Sequence, residues 1–162
     1  MRAEGELPFG EDEEVADPAS EIEAAAVRLL AGREHSRHEL ANKLGRRFDR
    51  ETVEAVLDEL VERGLVSDDR FTEHYVASRM RKGFGPLRIR AELRERGIDG
   101  DLIEAWLDLG DDTWREHLHE VARGRFGDER PADRRAQAKQ ARFLQYRGFP
   151  ESLIRDYLWG SA

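Results

Sequence analysis

The sequence predicts an all-α protein built as an elongated, curved array of three tandem three-helix repeats. Charged residues make up 38% of the 162 residues and hydrophobic residues 39%, a balance typical of amphipathic helices with solvated outer faces. Apolar residues recur at helical spacing, and one apolar pattern appears three times, at steps of 50 and 51 residues. No segment shows the alternation expected of a β-strand.

The repeat is anchored on Phe48, Ile98 and Phe149. The positions five, eight and nine residues after each anchor are all apolar, as expected for the buried face of a helix. They are Val53, Val56 and Leu57, then Ile103, Trp106 and Leu107, and then Ile154, Tyr157 and Leu158. A fixed period of this kind predicts units that each bury a small core of their own and contact mainly their neighbours.

Each repeat is expected to contain three helices. In repeat 1 (21–66) these cover 21–31, a segment capped by Ser36, and a segment from Val53 to Val61. In repeat 2 (67–110) they cover 69–82, 86–96 and 100–109, and in repeat 3 (111–160) they cover 112–126, 133–147 and 150–159.

Two aspartate pairs open equivalent helices in repeats 2 and 3. Asp68-Asp69 and Asp111-Asp112 are predicted to supply an N-cap followed by a first-turn acid. A magnesium site is the alternative use of these pairs, and capping explains their position better. Gly83 to Pro86 is predicted to be a hinge between two helices, because it lacks the lysine of a phosphate-binding loop.

The first 20 residues are predicted to be a disordered acidic tail. Residues 1–21 hold eight acidic side chains against one arginine, and such a segment buries too little apolar surface to offset its ordering entropy. The tail could compete with DNA for the basic helices. The acidic N-terminus and the absence of a membrane-length apolar run favour a cytoplasmic protein.

The sequence lacks the residues that most catalytic and metal-binding sites require. The chain has no cysteine, which excludes disulfides, cysteinyl metal sites and a cysteine nucleophile. His117 and His119 lie two residues apart and do not share a helix face. His74 and His117 occupy equivalent repeat positions, which favours a structural role for both. We therefore expect no metal and no cofactor.

The binding candidates are basic residues that recur in blocks. Arg90 and Arg94 are like charges four residues apart, which costs about 0.2–0.5 kcal/mol in an isolated helix, and Arg135 and Lys139 repeat this arrangement. Such unneutralised rows suit a negatively charged partner that is itself long and periodic. The row Arg88, Glu92 and Arg96, by contrast, neutralises itself. The candidates are Arg79, Arg81, Lys82, Arg88, Arg90, Arg94, Arg135, Lys139 and Arg142.

A long motif in repeat 2 resembles the RecX family of bacterial recombination regulators, and the resemblance extends over residues 22–160. The residues that carry it are Ser67-Asp68-Asp69-Arg70-Phe71, Ser78-Arg79, Lys82-Gly83, Gly85-Pro86, Arg88-Ile89, Glu92-Leu93 and Gly97-Ile98. The acidic tail is not part of this pattern.

The resemblance implies three tandem three-helix repeats, no enzymatic activity, and binding along the RecA–DNA filament. It also implies inhibition of strand exchange and ATP hydrolysis, with a role in DNA repair, recombination and the SOS response. The residues leave open whether single- or double-stranded DNA is contacted directly. We expect a monomer.

A helix-turn-helix transcription factor is the competing interpretation. Residues 36–66 resemble the core of winged-helix proteins, although the threefold repetition and the lack of a β-wing after Val66 argue against it. An enzyme is the third class, and no residue set supports one.

Overall fold

The structure is a computed structural model that describes residues 17–160, and every regular element in that range is an α-helix. Unit 1 contains α1 (Pro18–Gly32), α2 (Arg37–Leu44) and α3 (Arg50–Glu62). Unit 2 contains α4 (Asp68–Arg81), α5 (Pro86–Glu95) and α6 (Gly100–Leu107), and unit 3 contains α7 (Asp111–Phe126), α8 (Arg134–Arg147) and α9 (Glu151–Trp159). The predicted all-α class with three helices per repeat is confirmed.

The helix starts agree only in part with the predicted caps. Ser36 forms a capping box with Glu39 at the start of α2, as predicted. The N-cap of α4, however, is Ser67 and not Asp68, because the Ser67 hydroxyl accepts the hydrogen bond from the Arg70 amide. Helix α7 follows Gly110 and has no side-chain cap. The aspartate pairs therefore serve as first-turn acids that complement the helix dipole.

The predicted tail extends too far along the chain. Residues 18–20 belong to α1, so the tail prediction is wrong for them. Asp17 caps this helix by accepting a hydrogen bond from the Ala19 amide at 3.3 Å, and Pro18 occupies a first-turn position where its fixed φ favours the helix. Residues 1–16, which hold most of the predicted tail, lie outside the described residues.

Unit 1 has a hydrophobic core of its own. The apolar faces of its three helices meet with Val66, which follows α3, and several of these side chains are completely buried. The core consists of Ile22, Ala25, Ala26, Leu40, Leu44, Val53, Val56, Leu57, Leu60 and Val66.

Units 2 and 3 share one core, which corrects the expectation of a separate core in each repeat. Trp114 of unit 3 is buried and donates its Nε1–H to the carbonyl of Leu107 in unit 2 at 3.0 Å. Trp106 and Tyr157, predicted as core residues, are half-buried against this core. Its buried residues are Phe71, Val76, Ile89, Leu93, Ile98, Ile103, Leu107, Trp114, Leu118, Ala122, Leu144, Phe149, Leu153, Ile154 and Leu158.

The shared core is possible because two glycines bring backbone against backbone. The Gly85 amide donates to the carbonyl of Arg147 at 2.8 Å, and the Leu87 amide donates to the carbonyl of Gly148 at 2.9 Å. A Cβ on Gly85 would lie 2.7 Å from the carbonyl carbon of Gly148. Gly148 has a φ of 95° and packs against Arg88. The predicted hinge is thus a connection between α4 and α5 that also docks onto unit 3.

The contact between units 1 and 2 is polar by comparison. The buried Ser36 hydroxyl donates to the carbonyl of Arg96 at 2.8 Å, and the Arg37 amide donates to Oδ1 of Asp68 at 2.9 Å. Arg70 forms an ion pair with Glu34 across the same joint. Within residues 17–160, no hydrogen bond or ion pair joins unit 1 to unit 3, so the polar contacts connect each of them to unit 2.

We predict that Gly85→Ala lowers the free energy of unfolding by about 1–3 kcal/mol, because the added methyl group forces the unit 2–3 junction apart. The φ of Gly85 is −96°, which alanine adopts without strain, so the loss reports on the contact alone. Urea denaturation measures it.

Gly124→Ala is the matched control. Gly124 lies within α7 with open space around its Cβ position, and we expect a gain of about 0.5–1 kcal/mol from helix propensity. Equal stability of the Gly85→Ala variant and the unmodified protein would contradict the proposed junction.

Candidate functional site

Two of the candidate cations belong to an internal network around Glu92. Arg79 of α4 donates to both carboxylate oxygens of Glu92, at 2.8 and 2.6 Å, and the Tyr75 hydroxyl donates at 2.6 Å. Arg88, one turn before Glu92 on α5, donates from Nε to Oε1 of Glu92 at 3.2 Å. The predicted self-neutralising row is therefore wrong in detail, because Arg96 donates to the backbone carbonyl of Glu92 and not to its carboxylate.

The network changes the proton affinity of its members. Burial opposes ionisation of Glu92, but hydrogen bonds from Tyr75, Arg79 and Arg88 outweigh burial and lower its pKa below the usual 4.5. Burial, together with the hydrogen bond to Glu92, raises the pKa of Tyr75 to about 12. Arg79 and Arg88 thus stabilise the α4–α5 packing with much of their charge already compensated.

The interpretation of Arg90 and Arg94 as an unneutralised pair is wrong for Arg90. Arg90 donates to both oxygens of Glu104 on α6, at 2.6 and 3.2 Å, and this hydrogen bonding lowers the pKa of Glu104. Arg90 follows Arg88 by two residues, or about 200° of helix rotation, so it lies on the opposite side of α5. Arg94, one turn further, is exposed on that same side.

The remaining candidates present uncompensated charge. They are exposed, and none forms an ion pair with a carboxylate of residues 17–160. Such cations can attract an anionic partner at little cost to the fold. Together with Arg94, they are Arg81, Lys82, Arg135, Lys139 and Arg142.

A cleft of about 830 Å³ lies between units 1 and 2, and we call it the 1–2 cleft. Its wall includes the ends of α1 and α5 and one side of α4. His74, predicted to be structural, is instead exposed and lines this cleft. The cations of the wall are Arg33, Arg79, Arg81, Lys82 and Arg96, and its acids are Glu34 and Glu73.

A second cleft, of about 560 Å³, lies between units 2 and 3, and we call it the 2–3 cleft. Arg81 and Lys82 line this cleft as well, so the two clefts adjoin at the end of α4. Arg125 of α7 and Arg147 of α8 contribute further cations, and Glu120 is the one acid in this wall. The two clefts thus share the cations Arg81 and Lys82, and each wall holds more basic than acidic side chains.

Phe84, in the connection between α4 and α5, contacts one arginine from the wall of each cleft, Arg79 and Arg147. The guanidinium groups of Arg79, Arg88 and Arg147 lie 3.9, 4.3 and 5.0 Å from its ring centroid, within the range of cation–π attraction. His117 contacts the Phe84 carbonyl at 3.1 Å through Nε2, which fits its predicted structural role.

Sequence reasoning missed four cleft arginines as site residues, Arg33 and Arg96 in the 1–2 cleft and Arg125 and Arg147 in the 2–3 cleft. Arg147 donates from Nη1 to the carbonyl of Lys82 at 2.8 Å and so bridges the two units. A signal was present in the repeat, because Arg147-Gly148-Phe149 matches Arg96-Gly97-Ile98, and each arginine lines one cleft. Arg125 had no comparable signal.

The three candidates on α8 form a separate patch. Arg135, Lys139 and Arg142 line a shallow depression beside Ala136 and the N-cap residue Asp133. Lys139 lies one turn before Phe143, which lines the 2–3 cleft. The patch therefore lies beside the 2–3 cleft on α8.

The aspartate pair of unit 2 has internal partners that explain its position. Asp68 accepts the Arg37 amide, and Asp69 accepts the Trp106 indole N–H at 2.9 Å. Residues 17–160 contain no group of three or more His, Asp or Glu side chains arranged to hold a metal ion. In the same part of the chain, no helix is long and apolar enough to span a membrane.

Family models match all three units. The first, second and third three-helix domains of RecX match residues 24–60, 67–107 and 114–158, respectively.

Curated relatives and a solved structure agree with these matches. The chain is 45% identical to Regulatory protein RecX of Pseudomonas syringae pv. tomato over 147 residues, 90% of this chain and 95% of that one. It is 46% identical to Regulatory protein RecX of Halorhodospira halophila, covering 86% and 88%. The crystal structure of RecX from Lactobacillus salivarius superposes with a TM-score of 0.74 at 26% identity, covering 89% and 96%.

The successive three-helix units and their basic clefts define a helical-repeat protein. Its relatives are named regulatory proteins. The chain belongs to the RecX family.

We predict that Glu92→Gln lowers the free energy of unfolding at pH 7 by about 1–3 kcal/mol, because charge-assisted hydrogen bonds to Arg79 and Arg88 are lost. In the unmodified protein the ionised carboxylate stabilises the fold above its unfolded pKa of 4.5. That contribution is lost as the pH falls through the lower folded pKa.

Urea denaturation at pH 7 and below pH 4.5 separates these effects. The difference in stability between the two proteins should shrink in acid. An unchanged difference at both pH values would show that the ionisation of Glu92 does not contribute.

Proposed function

We propose that this protein binds the RecA–DNA filament and inhibits its recombinase and ATPase activities, thereby modulating DNA repair and recombination. It does so as a monomeric, non-enzymatic regulator in the cytoplasm. Membership of a family of named regulatory proteins supports the proposal at the level of class. The observation that carries it is the pair of adjoining basic clefts at successive unit joints.

The clefts suit a partner with a regular repeat. Each one lies at a joint between consecutive units, and Arg81 and Lys82 contribute to both. A filament presents acidic side chains or phosphates at regular intervals along its length. A linear protein with basic joints can therefore contact several filament subunits at once, which raises its effective affinity beyond that of any single contact.

Inhibition follows from binding to one state of the partner. ATP hydrolysis in a filament requires its subunits to change conformation, and a ligand that prefers one conformation shifts the equilibrium toward it. A chain that bridges neighbouring subunits imposes this preference on each of them. Because no reaction occurs on the regulator, no catalytic residues are needed.

The transcription-factor alternative has little support in unit 1. Helix α4 begins at Asp68, two residues after Val66, so the segment that would form a β-wing starts the next helical unit instead. Selection of a defined duplex site in the presence of competitor DNA would revive this alternative.

We predict that the protein at substoichiometric ratio lowers ATP hydrolysis by a RecA filament, and that the variant Arg81→Ala/Lys82→Ala/Arg125→Ala needs at least about 10-fold more protein for the same effect. Loss of three cleft cations removes charge contacts worth about 1.4 kcal/mol or more in total. Steady-state ATPase assays measure the concentration dependence.

The control variant is Arg28→Ala/Arg46→Ala/Arg50→Ala, which removes the same charge from exposed sites on unit 1. We expect its inhibition to stay within about twofold of the unmodified protein, because surface charges outside the contact act weakly at physiological salt. Equal loss in both variants would contradict a role for the clefts, and failure of the unmodified protein to inhibit would contradict the proposed function.

A further inference from the structure

Tyr146 is an exposed aromatic side chain that lies outside both hydrophobic cores. With 73% of its surface exposed, it is the most exposed large hydrophobic residue in the range 17–160. The Arg88 guanidinium lies 4.9 Å from its ring centroid, and Nη1 of Arg88 donates to its backbone carbonyl at 3.2 Å. The ring is thus held in place on the surface of α8 while most of it faces solvent.

Tyr146 lies in line with three of the exposed cations of α8. Arg135, Lys139, Arg142 and Tyr146 follow one another at intervals of four, three and four residues, which places them on one face of the helix. They span 12 residues, and the 11 steps from the first to the last rise about 17 Å at 1.5 Å per residue. We call this row the α8 stripe.

The charge of the stripe is not compensated within the protein. None of its cations forms an ion pair with a carboxylate of residues 17–160. Asp133, the acid beside them, is engaged as the N-cap of α8 and accepts the Ala136 amide at 2.8 Å. Adjacent like charges cost about 0.2–0.5 kcal/mol per pair in an isolated helix, a cost that an anionic ligand would reverse.

We propose that the α8 stripe binds single-stranded DNA directly. Arg135, Lys139 and Arg142 contact phosphates, and the Tyr146 ring stacks on an unpaired base. The combination of a cationic track with an exposed aromatic platform is the recognition mode of proteins that bind single strands without sequence preference. The inference rests on the proposed function, because the strand that the stripe binds is the DNA of the filament.

The exposed ring favours a single strand over the other anionic partners. In a duplex the base faces are stacked on each other, so an exposed ring has no base face to cover. A single strand offers both phosphates for the cations and an unpaired base for the ring, whereas an acidic protein surface matches the cations alone by charge. The α8 stripe adjoins the 2–3 cleft through Lys139 and Phe143, so a strand on the stripe passes beside the cleft proposed for the filament.

Fluorescence anisotropy of a labelled oligo(dT), titrated with the full-length protein at several salt concentrations and without recombinase, tests the inference. Each phosphate contact on a single strand contributes about 0.7 to the slope of log K against log salt. Arg135→Ala/Lys139→Ala/Arg142→Ala should therefore lower the slope by about 2. Tyr146→Ala should weaken binding by about 10-fold, while Tyr146→Phe retains the stacking ring and the affinity.

Three comparisons between variants or ligands in this assay would overturn the inference. They are an equal loss of slope in the Arg28→Ala/Arg46→Ala/Arg50→Ala control, equal weakening by Tyr146→Ala and Tyr146→Phe, and a duplex affinity equal to that of oligo(dT). Oligo(dT) binding that fails while filament ATPase inhibition persists would refute the stripe and leave the proposed function intact. Oligo(dT) binding without ATPase inhibition would refute the proposed function and leave the stripe intact.

Discussion

The backbone contact between Gly85 and Gly148 is the constraint on which the rest of the structure depends. Two backbone hydrogen bonds cross this contact, from the Gly85 amide to the Arg147 carbonyl and from the Leu87 amide to the Gly148 carbonyl. The two loops can approach this closely because Gly85 and Gly148 have no side chains. This approach merges the apolar faces of units 2 and 3 into one core. It also sets Arg147 over the end of α4, where its guanidinium reaches both Phe84 and the carbonyl of Lys82.

The joints differ in kind, and the difference shapes the binding surface. Units 2 and 3 are joined by a buried apolar core, whereas unit 1 meets unit 2 through hydrogen bonds and the Arg70–Glu34 ion pair. Salt weakens the ion pair of this joint but not the burial of apolar surface between units 2 and 3. We therefore expect unit 1 to separate from unit 2 more readily than units 2 and 3 separate from each other.

The sequence predicted the helices well because periodicity and caps are local signals. Ser36 and the apolar positions after Phe48, Ile98 and Phe149 were sufficient to define three helical units. Local pattern could not show which cations are free, because the partners come from other helices. Arg90 is neutralised by Glu104, 14 residues away, and Arg79 by Glu92, 13 residues away. The shared core was likewise unpredictable, since it depends on Gly85 meeting a glycine 63 residues later in the chain.

Electron cryomicroscopy of a RecA filament on single-stranded DNA, decorated with this protein, tests the central claim most directly. We expect the chain to lie along the filament, with Arg81 and Lys82 within ion-pair distance of acidic side chains or phosphates and with successive units on successive filament subunits. A reconstruction in which both clefts face solvent, or in which the protein sits only at the filament end, would contradict binding through the basic joints.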